Sequence, residues 1–252
     1  HGKTTVTAMT ARVAEAGGLD PVVLVGGRVQ EWDGNARIGS GVAIAEADEY
    51  DRSFLELNPS LAVITSVEPE HLECYEGPAH LRSSFREFAG RAADRDGILA
   101  CADGPGVDSV IGGLRSVATY GLDPAADFRV EVVNRCETVQ TCRLESGDES
   151  FAFDLGAPGN HNAQNAGAAL AVGLRLGVDP QILRAALAGF SGVDRRLQRL
   201  GDRGGRVILD DYAHHPTEVH VSVAAVRDAW PGRRLAVVFQ PHLYSRTQQM
   251  AT

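Results

Sequence analysis

Apolar and polar positions along the chain alternate between two periods. Over residues 3–17, Val6, Met9, Val13 and Ala16 fall on one helical stripe, and Gly17-Gly18 closes the helix. Short apolar runs follow at 21–26 (PVVLVG), 42–47 (VAIAEA) and 61–66 (LAVITS). Runs of this length, spaced by helical stretches, predict a parallel sheet. Leu81, Phe85, Phe88 and Ala92 predict a helix over 79–94, followed by a strand at 97–101, a short helix near 107–114 and a strand at 116–120. Between 127 and 155 the period drops to two with no helix in between, which predicts a small antiparallel insert or edge. An Ala-rich helix over 160–176 and another from Pro180 to near Gly189 complete an α/β domain over 1–189.

The stretch 190–205 is rich in Gly and Arg, has no apolar run, and reads as a linker. A strand at 207–212, a helix at 216–229 opened by Pro216, and a strand at 235–239 then predict the first βαβ unit of a second domain, over 190–252. No internal repeat or low-complexity tract is present. The chain opens inside a motif and stops soon after a strand, so it reads as an internal piece of a longer protein.

Composition narrows the classes. Of 252 residues, 44% are hydrophobic and 23% charged, enough for packed cores and unlike a disordered segment. The 33 acidic residues outnumber 24 basic ones, for a net charge of −9, which argues against bulk nucleic-acid binding. A local phosphate site remains compatible with that charge, because one Lys, backbone N–H groups and Mg²⁺ suffice to hold a nucleotide. No apolar run approaches the roughly 18 residues of a membrane span. Cys74, Cys101, Cys136 and Cys142 have no metal-ligand spacing and read as reduced thiols of a cytoplasmic protein.

Candidate chemistry begins at His1-Gly2-Lys3-Thr4-Thr5. Gly-Lys-Thr opening a helix is the second half of a P-loop: backbone N–H groups cradle phosphates, Lys3 reaches the β/γ-phosphates and Thr4 binds Mg²⁺. The motif's first glycine and the strand feeding it are absent. Glu46-Ala-Asp48-Glu49 ends a buried strand, and Glu68-Pro-Glu70-His71 ends the next. Open parallel sheets bind ligands at that edge, and hard oxygen donors suit Mg²⁺; a solvated acidic loop is the plainer alternative. Asn160-His161-Asn162-Ala-Gln164-Asn165 opens the long helix, where one Asn would cap it and the others would face a ligand. Asp194-Arg195-Arg196 is either a solvated charge pair or a guanidinium set against a transferring phosphoryl group. Polar clusters also follow the last two predicted strands: Asp210-Asp211-Tyr212-Ala-His214-His215-Pro-Thr217-Glu218 and Gln240-Pro-His242-Leu243-Tyr-Ser-Arg246-Thr. Adjacent His214 and His215 point apart and do not readily share a zinc ion.

Taken in order, these six motifs make the chain resemble the Mur ligase family over essentially its whole length, most like the branch that adds L-alanine. The resemblance implies a central ATPase domain, lacking its first strand, and the start of a C-terminal domain of dinucleotide-fold topology. The implied fold class is thus α/β: a P-loop-type, mostly parallel sheet with flanking helices and a small antiparallel segment, then the opening of a second α/β domain. It implies ATP and Mg²⁺ as cofactors, and UDP-N-acetylmuramate and L-alanine as substrates, joined through an acyl phosphate with release of ADP and phosphate. The recycling ligase that adds a tripeptide to the same muramate is the nearest alternative, and for this stretch alone an inactive nucleotide-binding module. The implied phosphate and nucleotide residues are Gly2, Lys3, Thr4, Thr5, His161, Asn162, Asn165, Arg196 and Asp211. The implied metal residues are Thr4, Glu46 and His71. Tyr212, His214, His242 and Arg246 fall where the family handles the amino acid and acyl group, with His214 a candidate base beside the catalytic Lys3, Arg196 and Asp211. Ser66, Glu70 and Leu243 depart from the family pattern.

Overall fold

The computed structural model describes residues 1–242 and Tyr244. Its elements run α1 (Lys3–Ala16), β1 (Val22–Val29), β2 (Gly34–Arg37), β3 (Ala43–Ala45), β4 (Leu61–Ile64), α2 (Pro78–Ala92), β5 (Gly97–Cys101), α3 (Asp108–Ile111), β6 (Val117–Gly121), β7 (Phe128–Cys136), β8 (Val139–Ser146), β9 (Glu149–Leu155), α4 (Asn160–Arg175), α5 (Pro180–Ala186), β10 (Gln198–Arg203), β11 (Arg206–Asp210) and α6 (Pro216–Ala229).

The main sheet has six strands in the order β4-β5-β6-β7-β8-β9. Its first four strands are parallel and its last three antiparallel. The period-two stretch therefore does not fold as a separate insert: β7 pairs in parallel with β6 through Tyr120↔Phe128 and extends the same sheet. β5 (GILAC) is buried at every position, as a central strand covered on both faces must be. One face carries α1 and α4 over Val6, Leu99, Tyr120 and Ala171. The other carries α2 and α3, with Phe88 and Val110 against Ile64 and Ile98. A third cluster joins Met9 and Val13 of α1 to Phe151, Phe153 and Leu155 of β9 and to Leu170, Leu183 and Leu187.

Of the three early apolar runs only the third, β4, joins this sheet; the first two form a separate one. β1 pairs with β3 in parallel and with β2 antiparallel, and among the described residues no ladder joins β3 to β4. The start of α1 sits between their ends, with Thr4 bonded to Glu46 beyond β3.

Two sequence expectations need correction. The stretch 190–205 is folded rather than a linker. Phe190 and Val193 are buried in the core with α4, and Asp194 accepts from Arg28 at 3.0 Å and Gln30 at 3.1 Å. β10 then pairs antiparallel with β11, closed by Arg203↔Arg206 around Gly204-Gly205. Both glycines have positive φ, 57° and 72°, as a two-residue hairpin loop requires. The strand expected at 235–239 is not formed. Among the described residues no strand lies beside it to complete a ladder, and Val238 is fully exposed. The helix α6 matches its expected span, but it follows a hairpin rather than opening a closed βαβ unit.

All four cysteines are unpaired; Cys101 and Cys142 are buried, and burial pushes their thiols up to about 11 and about 12. Among the described residues no helix is long and apolar enough to cross a membrane.

Leu170 of α4 is fully buried at the meeting of α1, β9 and α5. Leu170→Ala is expected to cost about 2–5 kcal/mol of stability. Urea unfolding followed by circular dichroism should show a lower midpoint with an unchanged slope.

Candidate active site

A cavity of about 330 Å³ opens where the ends of these elements meet. Its lining includes Gly2, Thr4 and Thr5 from the start of α1, Ser66 and Glu68 beyond β4, Asp103 beyond β5, and His161, Asn162 and Asn165 from the start of α4. Arg196, Asp211, Thr217 and Glu218 close it from the later part of the chain. Two helix N-termini, α1 and α4, thus contribute to one space. Their unpaired first-turn N–H groups and dipoles favour an anion there. Gly2 is obligatory at this point. Its φ is 79°, and a Cβ on it would lie 2.7 Å from Asn165 Oδ1.

The Lys3 side chain is not part of the lining. Its ammonium folds onto Asp48 Oδ1 at 3.1 Å and onto Glu49, two carboxylates of the acidic cluster beyond β3. Thr4 Oγ1 donates to Glu46 Oε1 at 2.8 Å, and Gly26 N–H donates to Glu46 Oε2 at 2.6 Å. Thr4 and Glu46 thereby form a pair of oxygen donors, the kind a hard cation takes. His71 lies among two further carboxylates. With φ at 53°, it sits with Glu49 and Glu70, their donor atoms all within 4.8 Å of one another. Glu49 is the link: it holds Lys3 on one side and neighbours His71 on the other.

At the start of α4 none of the three asparagines caps the helix. Asn160 binds Arg135 instead, Asn162 Nδ2 donates to Pro158 O at 2.8 Å, and Asn165 Nδ2 donates to Asn162 Oδ1 at 3.3 Å. Asn162 and Asn165 are buried side by side behind Gly2. His161 is neutral: burial pushes its pKa down to about 4.

Asp211 shapes the junction through backbone contacts. Its two oxygens accept from Leu197 N–H at 2.8 Å and Ala213 N–H at 2.7 Å, and burial raises its pKa against those bonds. Tyr212, His214 and His242 form one aromatic group, with His214 5.1 Å from Tyr212 and 5.7 Å from His242 between ring centres. Arg196 stacks over Tyr212 at 5.9 Å. None of Tyr212, His214 and His242 lines the cavity, and Arg246, like Leu243, lies outside the described residues.

Glu218, not singled out by the sequence, is the hub of this region. It accepts from the backbone N–H of His214 at 3.1 Å and of His215 at 3.3 Å, completing a capping box for α6. His1 Nδ1 lies 3.1 Å from Glu218 Oε1, and Arg196 is 3.8 Å away. Burial opposes its ionisation, but His1 and these N–H donors hold the Glu218 carboxyl well below the usual carboxylate range. The same pairing raises the His1 pKa against the effect of burial. The readable signal was Glu three residues after the helix cap, just past Pro216. Asp103 had a signal too, since Asp-Gly follows an apolar strand at the same sheet edge.

A family model described as the Mur ligase middle domain matches residues 1–173, and one described as the Mur ligase, glutamate ligase domain, matches residues 195–252. The UDP-N-acetylmuramate–L-alanine ligase of Salinibacter ruber is 45% identical over 253 residues, covering 98% of this chain and 53% of that protein. The enzyme of the same name from Oleidesulfovibrio alaskensis is 40% identical over 252 residues, covering 99% and 56%. The solved UDP-N-acetylmuramate-alanine ligase of Thermotoga maritima superposes with a TM-score of 0.81 at 29% identity, over 95% of this chain and 55% of that one. A murein peptide ligase from Psychrobacter arcticus shares the fold, with a TM-score of 0.68 at 23% identity, over 93% of this chain and 54% of that one. The chain spans about half the length of the curated relatives it matches.

The neutral His161 has a measurable consequence. Unfolded, it takes up a proton near 6.5; folded, only near 4. Between those values the unfolded state binds more protons, so stability falls as pH drops from 6.5 towards 4. His161→Gln should lose less stability than the parent chain between pH 7 and pH 4.5 by urea unfolding. Equal losses would contradict a neutral imidazole in the folded chain.

Proposed function

Because the chain belongs to the Mur ligase family, we propose that it carries the ATP-binding and phosphoryl-transfer part of a ligase that joins L-alanine to the carboxylate of UDP-N-acetylmuramate. Residues 1–189 are the nucleotide-binding unit, and 190–252 open the unit that closes over it. The observation that supports this most is the convergence of two helix N-termini, the buried Asn162–Asn165 pair and Arg196 on one cavity. The strong identity to ligases of that name supports the substrate class.

The proposed reaction activates a carboxylate as an acyl phosphate and then lets an amine displace the phosphate. Anionic phosphates must approach an anionic carboxylate, so positive charge has to be supplied as transfer proceeds. Lys3 is the chain's only lysine. It exchanges Asp48 and Glu49 for the β/γ-phosphates, two carboxylates that otherwise keep it aligned. The Gly2–Thr5 backbone cradles the phosphates, and His161, Asn162 and Asn165 hold the base side. Thr4 and Glu46 would hold Mg²⁺, which would supply charge neutralisation at the phosphates. Arg196 faces the transferring group from the later part of the chain.

His214 has the arrangement of a general base. Its Nδ1 lies 2.9 Å from the Tyr212 carbonyl, which can only accept, so Nδ1 carries a hydrogen and Nε2, beside Glu70, is the nitrogen that exchanges a proton with the amine. Glu70 Oε1 lies 3.4 Å from Nε2 and stabilises the imidazolium that results.

The test replaces the matched stretch of the Salinibacter ruber relative with this chain and measures L-alanine-dependent phosphate release. Turnover with L-alanine but not with a tripeptide is expected; tripeptide-dependent turnover would favour the recycling reaction. Lys3→Ala in this chimera should abolish acyl-phosphate formation. Arg196→Ala should lower kcat far more than it weakens ATP binding, since its contact is realised mainly in the transition state. Unchanged kcat with a large loss of ATP affinity would contradict that role.

A further inference from the structure

Two imidazoles and a carboxylate meet beside the nucleotide cavity without a role in the proposed reaction. His1, Glu68 and His215 each bring a ligand-capable atom within 4.8 Å of the others. They come from three separate places: the residue two before α1, the loop after β4, and the cap of α6. His1 Nε2 is 3.1 Å from His215 Nδ1 and 3.3 Å from Glu68 Oε2. Ligand atoms bound tetrahedrally at about 2.0–2.1 Å from a zinc-type ion lie roughly 3.3 Å apart.

The hydrogen-bond pattern fixes where the lone pairs point. Glu218 Oε1 can only accept, so His1 Nδ1 carries a hydrogen and its neutral form has the lone pair on Nε2. His215 Nδ1 accepts the Thr217 N–H at 3.3 Å, so it too presents a lone pair. Glu68 Oε1 accepts the Thr217 hydroxyl at 2.9 Å, while Glu68 Oε2 is shielded from solvent and receives no hydrogen bond. With His1 neutral, three electron-rich atoms face one another around a common point where a cation would meet all of them. A proton on His1 Nε2 can be shared with only one neighbour at a time, whereas a metal ion satisfies all three. The carboxylate–imidazole pair Glu218–His1 and the hydroxyl on Glu68 are the outer contacts that orient metal ligands. Two nitrogen donors select a borderline transition metal over Mg²⁺.

We propose that His1, Glu68 and His215 form a binding site for a zinc-class divalent ion, distinct from the oxygen donors Thr4 and Glu46, that clasps α6 to the start of α1. The bound ion takes over the His215 Nδ1 lone pair from the Thr217 N–H and completes its shell from solvent.

The test titrates the 252-residue chain with Co²⁺ in excess Mg²⁺ and reads the visible absorption of tetrahedral cobalt. One equivalent should bind, and Zn²⁺ should displace it. Glu68→Gln keeps the shape and the Thr217 contact, and His215→Asn keeps a capable helix cap. Each should weaken Co²⁺ binding at least about tenfold, on the scale of lost metal contacts, with the circular dichroism of the parent. His71→Ala, which removes the other histidine-containing cluster, should leave the spectrum and the affinity unchanged. Absence of the tetrahedral band, its persistence in Glu68→Gln and His215→Asn, or its loss in His71→Ala would each overturn the proposal.

Discussion

The close approach of α1 to α4 is the contact on which the rest of the structure depends. At one end, a Cβ on Gly173 would meet Val13 Cγ1 at 2.5 Å; at the other, a Cβ on Gly2 would meet Asn165 Oδ1 at 2.7 Å. Small residues at both ends let the two helices lie together on one face of the sheet. Ten of the fourteen residues of α1 are buried as a result. Because both helices start at the same sheet edge, their N-termini open into one cavity. The anion-binding capacity of two helix starts is thus a consequence of packing, not of any single side chain.

Around that cavity the charge balance is made by carboxylates. Glu46, Asp48 and Glu49 hold Thr4 and Lys3, so the cationic and hydroxyl groups of the P-loop-like start are oriented before any ligand arrives. Glu218 does the same for the later chain, drawing together His1, His214, His215 and Arg196. Within the lining, Arg196 stands among the carboxylates of Glu68, Asp103, Asp211 and Glu218. Lys3, outside the lining, and Arg196, within it, come from distant parts of the sequence, and each is paired with a carboxylate.

Legibility followed the strength of the local pattern. The apolar stripe of α1, the buried run of β5, the Ala-rich α4 and the Pro-opened α6 were readable because burial writes a period into the sequence. β10 was not, since Gln-Arg-Leu-Gly-Asp-Arg has no alternating apolar face, and only the Gly204-Gly205 turn betrayed it. The run at 235–239 had a strand's composition, but a ladder needs a partner that composition does not reveal. In the site, motif order brought Gly2, Thr4, Thr5, His161, Asn162, Asn165, Arg196 and Asp211 to one cavity. The grouping of His71 with Glu49 and Glu70, and the pairing of Glu218 with His1, depend on loop paths between residues far apart in sequence. No local spacing encodes them.

Convergence of the two helix starts on one nucleotide is the central claim, and hydrogen–deuterium exchange with and without millimolar Mg·ATP tests it most directly. The account predicts that Mg·ATP slows exchange in both Gly2–Thr5 and Asn160–Asn165 together, and that Lys3→Ala removes both effects. Protection confined to one helix start, or protection of both that survives Lys3→Ala unchanged, would contradict it.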